Sequence, residues 1–242
     1  MNTLFYDLHI HSCLSPCGDD EMTPANIVGM AKVKGLDVIA ITDHNSCRNC
    51  SAALYHGEKY GITVIPGMEL CTAEEVHVIC LFPNLKMALD FDTYIYERLL
   101  PIKNQEHIFG KQHILDENDI QIGIVDNLLI NATDISFDDS FELVKSFGGI
   151  AFPAHIDKAS SSLLSNLGFI PPDSDFKTAE VKNGDDLETL QQNHPYLLNC
   201  NILFNSDAHY LEDISEPHHQ IVVESNSIKE ILKSLSELNF YK

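Results

Sequence analysis

The chain has 242 residues, 44% of them hydrophobic, and carries 36 acidic against 15 basic side chains, a formal net charge of -21. That length suits one large domain with a substantial core, while the charge, with Arg48 and Arg98 the sole arginines, has the wrong sign for a long nucleic-acid footprint. No apolar run approaches the roughly 18–20 residues needed to cross a bilayer, and the opening MNTLFYDLHIHS lacks the regions of a secretory leader, so a cytoplasmic protein without a membrane partner is expected.

Taken in chain order, Leu4–Ile10 reads as a strand. Thr23 then stands as an N-cap with Pro24 at the first helical position and Gly35 as the stop. LDVIAIT, residues 36–42, is a nearly continuous apolar run, as expected of a strand buried on both faces. Ser51–Tyr60 predicts a helix, and Ile62–Leu70 and Val76–Phe82 the next strands. This alternation is that of βα units around a parallel sheet. Regularity fails over residues 85–147, where Lys86–Ile102 has a helical pattern but Gln105–Ile135 mixes polar residues with short runs such as IQIGIV. We read 85–147 as an insertion or excursion within a single domain spanning 1–242, of the kind that often shapes specificity. The rhythm returns in GGIAFPAH, KTAEVKNG and NILFNSDAH, and Ser227–Leu238 predicts a closing helix.

Chemistry gathers at the ends of these strands. His9-x-His11, Asp43-His44, Glu69, His155 and Asp207-x-His209 each follow an apolar run, and His77 lies within another strand. Residues two apart on a strand project to the same side, so His9 and His11 converge, as do Asp207 and His209. In parallel barrels the strand C-termini form the active-site face. Each element alone has a bland reading: a surface pair for H-x-H, a solvated strand end for Glu69, a satisfied core histidine for His77. Their joint occurrence at one end of successive strands points instead to divalent metal, with imidazole and carboxylate suiting zinc, manganese or iron better than magnesium.

Seven cysteines, an odd number, argue for reduced thiols. Cys13-x₃-Cys17 and Cys47-x₂-Cys50 fall in the first two predicted loops of the same face and have spacings compatible with a structural zinc, small buried or loop cysteines being the alternative.

The motifs DLHIHS, CGDDEMTP, ITDHN, GMEL, EVHVICLF, PAHID and NSDAH, in that order, resemble the PHP (polymerase and histidinol phosphatase) family in its stand-alone form, over residues 3–82 and 148–210. The resemblance implies a distorted (β/α)7 barrel with a small insertion and a site of two to three divalent ions. Carried over, one ion takes His9, His11, Glu69 and Asp207; Glu69 bridges to a second on His77 and His155; a third takes Asp19, His44 and His209. The early aspartate departs from the usual spacing because CLSPCG intervenes, so Asp20 stands as the alternative to Asp19. The implied activity is hydrolysis of a phosphoester on a small phosphorylated metabolite or nucleotide, a metal-held hydroxide attacking phosphorus in line. Asp43 is a candidate to orient a ligand, and Lys158 to hold a substrate phosphate. Two other readings are an amidohydrolase, which normally bridges its metals with a strand lysine where this chain has Glu69, and a non-catalytic metal-binding barrel.

Overall fold

A computed structural model describes residues 1–238. In chain order its elements begin with β1 (Asn2–Ile10), α1 (Pro24–Lys34), β2 (Val38–Ile41), α2 (Cys50–Tyr60), β3 (Thr63–Cys71), β4 (His77–Leu81) and α3 (Leu85–Tyr96). They continue with α4 (Glu106–Phe109), β5 (His113–Leu115), β6 (Gln121–Ile124), α5 (Phe137–Ser146), β7 (Ile150–Pro153), α6 (Leu163–Asn166) and β8 (Thr178–Glu180). The last are α7 (Leu187–Asn193), β9 (Asn201–Leu203), β10 (Gln220–Val223) and α8 (Ile228–Ser236).

Local chemistry sets the boundaries. Thr23 caps α1 by accepting from Asn26 N, Pro24 occupies its first turn, and Gly35 ends it in the left-handed region at φ 81°. Ser136 and Ser227 cap α5 and α8 in the same way, accepting from Asp139 N and Glu230 N.

Six strands form a mixed sheet in the order β10-β1-β2-β3-β4-β7. The pairs β1–β2 and β2–β3 are parallel, but β4 is antiparallel to both β3 and β7. The sheet curls toward the parallel pair β8–β9, with Ile156 N donating to Glu180 O on one side and a parallel bridge from Ile10 to Ala208 on the other. The result is the expected distorted α/β barrel, less uniformly parallel than the βα rhythm predicts.

Two apolar layers hold it. Leu8, Ala40, Ile65, Ile79, Phe152 and Leu203 line the concave side, which Ile231, Leu232 and Leu235 of α8 close from below. The convex side packs Ile39, Ile41, Met68 and Val78 against helical residues such as Ile27, Ala53, Phe91 and Val144. Burying each of the larger side chains among them is worth about 1.5–3 kcal/mol. Within 85–147, α3 and α5 therefore bury residues in the convex layer, and residues 97–135 between them carry α4 and the β5–β6 hairpin. Asn45 and Asn49 clamp that stretch to the barrel mouth: Asn45 Nδ2 donates to Leu129 O and Asn131 O, and Asn49 Oδ1 accepts from Leu115 N.

Candidate metal centre

The strand order explains why scattered residues meet. On β1, Leu4, Tyr6 and Leu8 face the concave layer while Ile10 joins the convex one, and the pairing with β2 shifts register between Asp7 and Ile10. Such irregularities re-aim side chains beside functional sites; here His9 and His11 are left fully buried at the mouth. Glu69 lies on β3, and His44 reaches it through an isolated bridge. Because β4 runs antiparallel, its first residue, His77, sits opposite Cys71 at the same end of the sheet. His155 and Asp207 follow β7 and β9 with φ of 24° and 55°. Left-handed backbone at non-glycine residues costs of order 1–3 kcal/mol each and persists where the surroundings enforce it.

Glu69 is the hub. Its Oε1 lies 2.8 Å from His77 Nδ1, 3.1 Å from His9 Nε2 and 3.1 Å from His155 Nε2, while Oε2 lies 2.8 Å from His44 Nδ1 and 3.4 Å from His11 Nε2. Asp207 Oδ1 stands 3.4 Å from the Nε2 atoms of both His9 and His11. Three sets of donor atoms lie within 4.8 Å of one another: His9, His11, Glu69 and Asp207; His44, Glu69 and His77; and His11, His44 and His209.

The tautomers show that this set fits cations. Glu180 stands 3.0 and 3.1 Å from His9 Nδ1 and fixes the proton there. Ser15 Oγ donates to Asp43 at 2.7 Å and so accepts from His11 Nδ1 at 2.9 Å. In the neutral rings that bind metal both Nε2 atoms then carry lone pairs, and they face each other at 3.1 Å. Two acceptors at that distance repel unless a cation lies against both. His44 Nδ1 and Glu69 Oε2 are buried without a hydrogen-bond partner although they are 2.8 Å apart, a second mismatch that a shared cation resolves.

Electrostatics agrees. Burial alone would push Glu69 up, but His77, His9 and His44 hold it well below the usual carboxylate range. Asp207 is likewise depressed, His9 and His11 together outweighing its burial. Against burial, Glu180, Glu69 and Asp207 raise His9 well above its ordinary value, and Glu69 pushes His77 up to about 10. Burial lowers His11 and His44, with His209 and His44 adding to the effect on His11. The acids are thus held ionised by the surrounding imidazoles, and a proton on His77 carries part of the positive charge that divalent ions would supply.

Supporting residues surround this core. Asp43 accepts from Ser12 N at 2.7 Å, Ser12 Oγ at 2.6 Å and Ser15 Oγ at 2.7 Å, so it steadies His11 through Ser15. Glu180, which the sequence reading did not single out, binds His9, accepts from His155 N at 3.1 Å and from Asn205 Nδ2 at 2.8 Å, and is fully buried. Its signal was present: it closes the apolar run of KTAE as Glu69 closes its own. Lys158 Nζ, at the mouth, lies 2.8 Å from Asp207 Oδ2. Asp19 is outside the three donor sets; its carboxylate accepts from Glu21 N at 2.9 Å, and Asp20 is exposed.

The cysteines do not form a common site. Cys47 and Cys50 lie in the convex core, where burial and their mutual contact push the Cys47 thiol up. Cys13 is buried and its thiol pushed up to about 12 by that burial and by Asp43. Cys17 is exposed, with Sγ 3.0 Å from His209 Nε2.

The profile of the PHP domain matches residues 7–241. An uncharacterized protein of Methanocaldococcus jannaschii is 38% identical over 86 residues, 32% of this chain and 50% of that protein. A 5'-3' exoribonuclease of Haemophilus influenzae is 33% identical over 79 residues, 31% of this chain and 28% of that protein. The matched stretch thus spans half the length of the first relative and about a quarter of the second. Among solved structures, the lesion-specific endonuclease Q of Pyrococcus furiosus shares the fold with a TM-score of 0.65 at 20% identity, over 97% of this chain and 56% of that one.

Proposed function

The chain belongs to the PHP family, and from that premise we propose that its buried histidine–carboxylate cluster holds two to three divalent ions and hydrolyses a phosphoester of a small phosphorylated metabolite or nucleotide. One ion would be held by His9, His11, Glu69 and Asp207. A second would be held by Glu69 with His77, His155 and the edge of His44, and a third by His44 and His209 beside His11. The observation that carries the reading is the pair of facing lone pairs on His9 and His11 beside a carboxylate, Glu69, whose two oxygens address different sets of imidazoles.

When bound, such ions neutralise phosphate oxygens and bring the pKa of water near neutrality. The chain's own residues supply position. Glu180 and Ser15 hold the His9 and His11 rings, Leu8 provides an apolar floor, and Lys158, about a third exposed, offers an ammonium at the entrance. A serine nucleophile is disfavoured because Ser12 and Ser15 are fully buried and both donate to Asp43. Amide hydrolysis is disfavoured because a carboxylate, not a lysine, occupies the bridging position.

Relatives that act on RNA or DNA make nucleotides and short oligonucleotides natural members of the substrate panel, while 36 acidic against 15 basic residues favour a terminal phosphate over a long polyanion. The test loads the protein with manganese, zinc or iron and measures phosphate or alcohol release from aryl phosphates, nucleotides and short oligonucleotides, with ammonia release from amides in parallel. The reading fails if the loaded protein, verified by metal analysis, cleaves no phosphoester including the aryl phosphates.

A further inference from the structure

Resting on the metal reading above, we infer that Cys17 supplies a sulfur ligand to the ion held by His11, His44 and His209. Three observations converge. His209 Nδ1 lies 2.9 Å from the Asp207 carbonyl, to which it donates, so Nε2 carries the ring's lone pair, and that atom faces Cys17 Sγ at 3.0 Å. Sulfur and nitrogen ligands of one tetrahedral zinc, at roughly 2.3 and 2.0 Å from the metal, stand about 3.5 Å apart, so a small movement of an exposed side chain makes the pair a coordinating one. Second, a donor atom from each of the three imidazoles already lies within 4.8 Å of the other two, and His11 and His44 are buried. Third, one carboxylate oxygen of Asp19, an acid of the same loop, accepts from Glu21 N.

The loop is built to hold the sulfur there. Ser15 N donates to Ser12 O at 3.0 Å and Gly18 N to Ser15 O at 2.9 Å, winding Ser12–Gly18 tightly. A Cβ at Gly18 would come within 2.4 Å of Ser12 O, so the position needs glycine. Asp19 N then donates to His209 O at 3.0 Å, tying the loop backbone to the residue whose ring faces the thiol. Of the sulfurs in CLSPC, Cys13 is buried and Cys17 is the one that faces His209 Nε2. A thiolate among imidazoles favours zinc or iron over manganese or magnesium, so this position differs in metal preference from the carboxylate-rich one at His9, Glu69 and Asp207.

The test uses cobalt, which replaces zinc and reports sulfur through a thiolate-to-cobalt charge-transfer band in the near ultraviolet. The full chain, loaded to its maximal stoichiometry, is expected to show that band. Cys17→Ala is expected to lose it together with at least about tenfold in affinity for one ion, and Cys17→Asp to keep the ion without the band. In the unmutated protein, mass spectrometry should find Cys17 alkylated after chelation and protected after zinc loading. Cobalt uptake without the band, a band that survives Cys17→Ala, or alkylation indifferent to zinc overturns the assignment while leaving the metal reading standing. No uptake of cobalt at all overturns both.

Discussion

Replacing Glu180 by glutamine changes one atom in a buried acceptor and should weaken metal binding without unfolding the barrel. Both carboxylate oxygens face His9 Nδ1, at 3.0 and 3.1 Å; Oε1 also accepts from His155 N and Oε2 from Asn205 Nδ2. Asn205 cannot flip to accommodate an amide, because its Oδ1 is held by Leu8 N at 2.8 Å. Whichever way the new amide turns, its NH₂ meets a donor: His155 N on one side or Asn205 Nδ2 on the other. Hydrogen bonds to a charged group contribute about 1.5–3 kcal/mol, and the His9 ring loses its orienting anion as well. Removing a partner that orients a metal-bound histidine typically costs about 10–100-fold in affinity, or roughly 1.4–2.7 kcal/mol, which matches one such bond. Competition titration against a chromophoric zinc chelator should show that weakening, with activity returning at saturating metal. A Glu180→Gln protein that binds zinc within about twofold of the parent refutes the claim that Glu180 positions His9.

Three further outcomes follow from the same geometry. Glu69→Gln removes the charge shared by two donor sets, so metal content should fall by more than one ion per chain and activity by at least about 100-fold, read by elemental analysis and turnover; retention of the full metal complement contradicts the bridging role. His77 is raised from 6.5 to about 10 in the absence of metal, so its contribution to stability is fully present below pH 6.5 and is lost as pH rises through about 10. Chelated protein should therefore lose thermal stability across that window while zinc-loaded protein, which needs the neutral ring, does not; parallel curves would be inconsistent with a proton standing in for a cation. Lys158→Ala should raise KM for phosphoesters about tenfold, the low end for one charge-assisted contact, with metal content unchanged; a fall in kcat alone would point to its pairing with Asp207 instead.

The parts of the molecule that could be read from the sequence are those set by local pattern. Thr23, Pro24 and Gly35 bound α1 as their chemistry requires, and the strand-end histidines and acids lie at one mouth because successive strand ends do. The direction of β4 was also within reach: five residues separate Cys71 from His77, too few for the dozen or more that a parallel crossover needs. An antiparallel strand presents its beginning, not its end, at the mouth, which is why His77 sits at the first position of its strand while Glu69 lies near the last of its own. Glu180 was hidden differently, since an acid that holds a ligand's far nitrogen leaves the same trace in sequence as one that holds a metal or none. Asp19 and Cys17 lie beyond pattern altogether. Whether a loop side chain turns to its own backbone or to the site depends on competition among local hydrogen bonds, here with Glu21 N bonded to one aspartate oxygen and the turn at Gly18 placing the cysteine beside His209. The closure that brings Ala208 beside Ile10 lets His209 meet a loop nearly two hundred residues earlier and makes the identity of that loop's exposed side chain a matter of metal chemistry.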